Sequence, residues 1–228
     1  MTATAFIIAA YLIGSISFAV VVSKLMRLPD PHTYGSGNPG ATNILRTGNR
    51  PAALLTLLGD AAKGWLAVWL TVQFAPQSGG GTRLVAAVAA AVFLGHVFPL
   101  FHRFRGGKGV ATALGILLAL DPAFGLGVLF IWVLVFYLSG ISSLAALAAA
   151  VAAPLFAVHF FGFGAVAVAV LAMACLLVWR HRANIKKLRN GTEGRSRGSR
   201  PRSKFAVWRD EAPGKDDQPG EGDIRRGE

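Results

Sequence analysis

The chain has 228 residues, of which 54% are hydrophobic and only 15% charged, and its net charge is +12. A soluble domain carries nearer a quarter charged residues, and the apolar residues here come in long blocks, so the composition excludes a soluble globular protein and predicts an all-α polytopic membrane protein. Nucleic-acid binding is not implied, because fourteen of the 23 Lys/Arg but only four of the 11 acids precede residue 195, the pattern by which basic cytoplasmic loops fix orientation.

The first apolar run, 5–26, lacks a basic n-region and is too long for a signal h-region, so it reads as a retained span. Lys24 and Arg27 mark its cytoplasmic end. A loop at 27–52 follows, entered through the turn-prone Leu28-Pro29-Asp30-Pro31. The second span, 53–75, carries Asp60 and Lys63, three residues apart on one helix face. Intramembrane charges are rare and commonly functional; a self-neutralising pair near the interface accounts for them equally well. Residues 76–82 are a Gly/Ser connection suited to the outer face. A third span, 84–101, leads to a basic loop at 102–109. The run 110–120 is short and stops at Asp121-Pro122, either tilted or continuing through the proline. Spans at 123–138, 144–158 and 163–179 complete a set of seven transmembrane helices. Seven crossings put the N-terminus outside and the C-terminus in the cytoplasm, with 27–52, 102–109 and the basic segment after Trp179 all inside. From Gly194 the chain is too polar to bury a core, so 194–228 reads as a disordered cytoplasmic tail behind a membrane-embedded unit at 1–193. One cysteine, Cys175, allows neither an intrachain disulfide nor a metal cluster.

Three clusters on the cytoplasmic side carry chemistry. The first is Gly35-Ser36-Gly37-Asn38-Pro39-Gly40-Ala41-Thr42-Asn43-Ile44-Leu45-Arg46, which contains no acid. Its glycines let backbone approach a ligand, their amides can form an anion nest, and Arg46 offers a planar fork of donors suited to phosphate. The literal Gly-x-Gly-x-x-Gly is not a dinucleotide fingerprint, since its flanks are membrane spans rather than a βαβ unit. The second is Gly95-His96-Val97-Phe98-Pro99, followed by Arg105-Gly106-Gly107-Lys108-Gly109-Val110-Ala111-Thr112. Glycine amides at a helix start favour a phosphate, with Lys108 as counter-charge. Gly109 stands where a Walker A loop needs Ser/Thr, so it is not one. His96 reads equally as a base or phosphate contact and as a cap for backbone near Pro99. The third is 180–193, Arg-His-Arg-Ala-Asn-Ile-Lys-Lys-Leu-Arg-Asn-Gly-Thr-Glu. If the last helix runs on past the membrane, His181, Asn184 and Leu188 share one face, and the basic residues opposite meet lipid headgroups.

Together these clusters resemble the three motif regions of the bacterial membrane-integral glycerol-3-phosphate acyltransferases that use acyl phosphate as donor. The matching text is Gly-Ser-Gly-Asn-Pro-Gly-Ala-Thr-Asn-x-x-Arg at 35–46, Gly-His-x-x-Pro…Gly-Gly-Lys-Gly-Val-Ala-Thr at 95–112, and Arg-x-x-Asn-Ile-x-x-Leu-x-x-Gly-Thr-Glu ending at 193, with Asp60-x-x-Lys63-Gly64 also similar. In one place the sequence departs: the arginine expected three residues before Asn184 is His181, and Arg180 and Arg182 flank it.

The resemblance implies acyl transfer from acyl phosphate to the 1-hydroxyl of sn-glycerol-3-phosphate, giving lysophosphatidate and phosphate in phospholipid biosynthesis at the bacterial inner membrane. It implies no cofactor and no metal, and a functional link to the enzyme that makes acyl phosphate. No histidine has an Asp five places on, which excludes the soluble-type acyltransferase motif, and there is no Ser/His/Asp set for an acyl-enzyme. An activated donor needs positioning and charge stabilisation. Ser36, Lys108, His181 and Asn184 are the expected catalytic residues. Arg46, with Lys108, is expected to hold phosphates; Ser36, Asn43 and Asn184 to place glycerol hydroxyls; and Gly35, Gly37, Asn38, Gly40, Thr42, His96, Gly106, Gly107 and Gly109 to complete the substrate site. The alternative class is a transporter of an anionic phosphorylated metabolite, whose site would lie nearer the bilayer midplane.

Overall fold

The computed structural model describes residues 2–74 and 81–195, and every regular element among them is helical. All but the first two residues of the expected disordered tail, and most of the 76–82 connection, lie outside these residues. The helices are α1 (Ala3–Gly14), α2 (Phe18–Leu25), α3 (Ala41–Leu45), α4 (Arg50–Phe74), α5 (Gly81–Val97), α6 (Val110–Leu120), α7 (Pro122–Ser139), α8 (Ser142–Phe161), α9 (Ala165–Arg180) and α10 (Arg182–Arg189). Large apolar side chains such as Leu55, Leu126, Phe130, Leu138, Val151 and Leu155 stay exposed. A continuous apolar exterior of this kind is what lipid covers, and the chain is an all-α membrane protein.

The expected set of seven spans divides into unlike pieces. Among the described residues four helices are long and apolar enough to cross singly, and two bent pairs, α1 with α2 and α9 with α10, bring the number to six. The seventh expected span is α6, whose eleven residues reach only ~16 Å of a ~30 Å core. It does not run through the proline. Asp121 is extended (φ −161°) and its carboxylate accepts from Phe124 N–H at 2.9 Å, which caps α7 and lets Pro122 start a new helix.

The run 5–26 is not one straight span either: it bends by 46° between Gly14 and Phe18. Ser15 Oγ donates back to Tyr11 O (2.9 Å) and accepts from Leu100 N–H (3.1 Å), the side-chain bonding that bends helices. The bend strips Ile16 O of its helical partner, and Lys63 Nζ of α4 donates to it at 2.6 Å. Lys63 in turn pairs with Asp60 at 2.8 Å, both side chains being almost fully buried. The intramembrane pair is therefore a tie between α4 and the broken first span.

Glycines set the helix crossings. A Cβ on Gly14 would fall 2.2 Å from Val92 O, and one on Gly95 2.2 Å from Tyr11 O, so α1 and α5 touch backbone to backbone. Gly64 and Gly115 do the same for α4 and α6, at 2.4 Å from Thr112 O and 1.9 Å from Ala61 O. Small residues at crossings are how membrane helices approach closely. A first buried core joins α1, α4, α5 and α6 through Phe6, Val68, Val88, Phe93 and Ile116. A second joins α7, α8 and α9 through Phe124, Val128, Ala153, Ala157, Val166 and Val170. Between α6 and the α7–α9 group a cavity remains.

Candidate active site

At one end of the bundle the loop before α3, the loop before α6 and the chain around α10 converge on the mouth of a cavity of about 250 Å³. Its upper wall is polar, formed by Ser36, Asn38, Thr42, Arg46, Lys108 and Asn184. Its lower wall is almost wholly apolar, with Leu114 and Leu117 of α6, Leu129 of α7, Ala150 of α8 and Met173 of α9.

The first motif is a clasp built around Asn43, which is buried. Its Nδ2 donates to Pro31 O (3.0 Å) and Tyr34 O (3.2 Å), and its Oδ1 accepts from the Ser36 amide (2.9 Å) and hydroxyl (3.2 Å). Gly35 makes this fit: its φ is +59°, and a Cβ there would lie 2.3 Å from Asn43 Oδ1. Asn43 thus holds the loop that presents Ser36. Thr42 Oγ1 meets Ser142 Oγ at 3.2 Å and ties α3 to the start of α8. Arg46 caps α3 and is exposed at the mouth.

The second motif packs on α5. His96 lines the cavity, and its Nδ1 lies 3.1 Å from Thr112 Oγ1 and 3.5 Å from Asp60 Oδ1. His96 O accepts from the Gly107 amide at 3.2 Å. Gly106 and Gly107 are buried against His96, where any Cβ would clash at 2.1–2.2 Å, and they do not line the cavity. Their carbonyls accept from Arg180, Nη2 to Gly106 O at 2.6 Å and Nε to Gly107 O at 3.3 Å. Gly109, with φ +87°, turns the chain into α6 where a Cβ would strike the Phe93 ring. Lys108 between them projects into the cavity.

In the third motif the last helix does not run on unbroken past the membrane. The chain breaks at His181, with a bend of 57° between α9 and α10. The His181 amide bonds both Leu177 O (3.1 Å) and Val178 O (3.0 Å), a tightened last turn that ends α9. The His181 ring is buried, and its Nδ1 lies 2.8 Å from Leu177 O. A carbonyl can only accept, so Nδ1 carries the proton and Nε2 the lone pair. The two flanking arginines part company: Arg180 grips the glycine loop, whereas Arg182 lies over the Trp179 ring at 4.5 Å.

Lys108 Nζ donates to Asn184 Oδ1; Asn184 Nδ2 donates to Glu193 Oε1 at 2.6 Å, which also accepts from Ser143 Oγ at 2.7 Å. This chain joins all the motifs but the first to α8. Burial lowers the Lys108 pKa from 10.5 to about 8; Glu193 opposes that shift, and the Arg46, Arg180 and Lys187 charges add to it. A lysine crowded by cations with a single acid nearby lacks a full counter-charge, and an anion in the cavity would supply it.

Of the expected site residues, the cavity gathers Ser36, Asn38, Gly40, Thr42, Asn43, Arg46, His96, Lys108, Gly109, His181 and Asn184. Gly35, Gly37, Gly106 and Gly107 lie behind it. The cavity is also lined by Glu193, Ser143, Trp132 and Asp60, which are not among the expected site residues. Glu193 ends the third motif and was legible there; Ser143 and Trp132 carry no signal within apolar spans.

Residues 4–191 match the family model described as glycerol-3-phosphate acyltransferase. The chain is 63% identical over 190 residues to the glycerol-3-phosphate acyltransferase of Cupriavidus taiwanensis, covering 83% of this chain and 94% of that one. It is 58% identical over 188 residues to that of Paraburkholderia phymatum, covering 82% and 90%. Its fold is similar to the crystal structure of "PlsY (YgiH), an integral membrane glycerol 3-phosphate acyltransferase" in the glycerol 3-phosphate form, with a TM-score of 0.79 at 35% identity, covering 85% of this chain and 94% of that one. The lysophosphatidic acid form of the same protein gives a TM-score of 0.77. The chain belongs to the glycerol-3-phosphate acyltransferase family.

Proposed function

From that membership we propose that the chain transfers a fatty acyl group from acyl phosphate to the 1-hydroxyl of sn-glycerol-3-phosphate, releasing lysophosphatidate and inorganic phosphate. The observation that carries the reading is the two-part cavity: a basic, hydrogen-bonding mouth continuous with an apolar trough. Both substrates present a phosphate, and one carries a fatty chain. The solved relatives bind glycerol 3-phosphate and lysophosphatidic acid, which are the acceptor and product of this reaction.

The chemistry needs no enzyme nucleophile, because the leaving group is already phosphate. The acceptor's hydroxyl oxygen bonds to the acyl carbonyl carbon, the bond from that carbon to the phosphate oxygen breaks, and the hydroxyl proton passes to a phosphate oxygen. Arg46 and Lys108 hold phosphates at the mouth. Ser36 is committed as a donor to Asn43, so its hydroxyl lone pairs are what it offers, and it orients the acceptor hydroxyl. Asn184, fixed between Lys108 and Glu193, aligns the lysine, and His181 contributes Nε2 as a hydrogen-bonding group. Fixed groups of this kind supply orientation and charge stabilisation without reorganisation.

In this reading residues 1–193 are the acyltransferase unit, the mouth faces the cytoplasm of a bacterial inner membrane by the positive-inside rule, and acyl phosphate comes from an enzyme that makes it. The test is to reconstitute purified protein in liposomes with glycerol-3-phosphate and each donor in turn. Lysophosphatidate is expected from acyl phosphate with no acyl-CoA or acyl carrier protein present. Product from acyl-CoA or acyl carrier protein alone would overturn the donor assignment.

A further inference from the structure

Resting on the acyl-transfer reading, we propose that the trough is a chain-length gauge and that Phe124 is its floor. On α8 the lining residues descend from Ser143 through Ala146 and Ala150 to Ala153 and stop. On α7 they stop at Val128, and on α9 at Val170. One helical turn beyond each of these lies a residue of a single buried cluster: Ala157, Phe124 and Val166, with Ala157 and Phe124 fully buried. Three helices therefore close the trough at one level. The Phe124 ring is the largest side chain at that level and is held in place by Phe160 at 5.8 Å and, edge-on, Phe161 at 5.7 Å. It cannot swing aside without breaking that packing.

The depth follows from helix geometry. From Ser143 to Ala153 the α8 wall descends ~15 Å, at about 1.5 Å per residue. An extended chain advances roughly 1.2 Å per bond, so about twelve carbons fill the trough. The polar mouth fixes where that chain begins. Each methylene taken from water into the trough removes a similar apolar area from solvent, about fourfold in affinity referred to the free aqueous ligand. The gain ends where Phe124 stops the chain.

The experiment measures the thermal shift of the full-length protein in lipid nanodiscs with saturated monoalkyl phosphates of increasing length, which report the trough without requiring turnover. The wild type is expected to show affinity rising with each methylene and then levelling off near the length that fills the trough. Phe124→Ala moves the levelling point about four carbons longer and Ala153→Leu about four carbons shorter, one helical turn in each direction. Affinities are referred to the free aqueous alkyl phosphate, so partitioning into the bilayer does not enter the curve. Should Phe124→Ala not fold, Phe124→Leu gives a smaller shift of the same sign. A wild-type curve that never levels, or folded variants that keep the wild-type levelling point, overturns the gauge. A parallel assay of lysophosphatidate from acyl phosphate separates the two readings: no product from the wild type sinks the acyl-transfer reading, while the alkyl phosphate curve still decides the gauge.

Discussion

The two ends of the cavity are built by opposite means. At the mouth directed bonds set the frame: Asn43 clasps Ser36, Arg180 grips Gly106 and Gly107, and Glu193 aims Asn184 at Lys108. In the trough below Ser143 the walls are helix faces, mostly Ala, Leu, Val and Met. A phosphate and a hydroxyl must meet donors at set distances, so the mouth needs definite residues on rigid supports. A hydrocarbon tail asks only for shape and dryness, so the trough needs volume and a floor.

Lesions in the two regions therefore separate, and the largest effect lies beneath both. Asp60→Ala leaves the Lys63 charge buried without its partner, which costs about 3–5 kcal/mol. The expected outcome is loss of folded protein by size-exclusion chromatography and thermal unfolding, because the tie between α4 and Ile16 O goes with it. Unchanged stability would show that the pair does not secure the bend.

Lys108→Ala comes next. Removing a charge-assisted contact of roughly 3 kcal/mol lowers kcat/KM for glycerol-3-phosphate about 10²-fold, while the preferred acyl chain length stays that of the wild type. A shifted chain-length profile would mean that mouth and trough are not independent. Charge also sets the pH profile. With Lys108 lowered to about 8, the free enzyme loses this ammonium as pH rises through that value, so kcat/KM falls about tenfold per pH unit above it. Lys108→Arg keeps its charge throughout and should flatten that alkaline limb at a lower plateau. Glu193→Gln, which keeps the hydrogen-bonding shape but removes the one acid beside Lys108, shifts the same limb to lower pH.

The smallest effect tests the trough. The buried Trp132 indole N–H has no hydrogen-bond partner among the described residues, so Trp132→Phe gives up no bond. Its stability should stay within about 0.5 kcal/mol of wild type, and a larger loss would reveal a polar contact in the apolar half.

This contrast also governs what the sequence could disclose. Glycine, asparagine, arginine and lysine are conspicuous between apolar blocks, so the residues of the mouth stood out, and so did the spans that carry them. The trough did not, because Ala146, Ala150 and Ala153 look the same whether a helix faces lipid, a neighbour or a tail. The breaks were hidden for a related reason. Hydropathy runs smoothly across Ser15 and Ser17, and what satisfies the carbonyl freed at the bend is a lysine 47 residues away. Likewise His181 gives no local sign that it ends a helix. Two glycines read differently in the structure: Gly106 and Gly107 look from the sequence like a phosphate-favouring helix start, whereas close packing against His96 and the Arg180 grip account for both.

The central claim, one reaction carried out between two unlike halves of a cavity, is tested most directly by stoichiometry. Purified protein in liposomes is given acyl phosphate, and phosphate release and lysophosphatidate are followed together. The account predicts no phosphate release above background without glycerol-3-phosphate and one phosphate per lysophosphatidate with it. Steady phosphate release in the absence of the acceptor, or lysophosphatidate forming without matching phosphate, would contradict it.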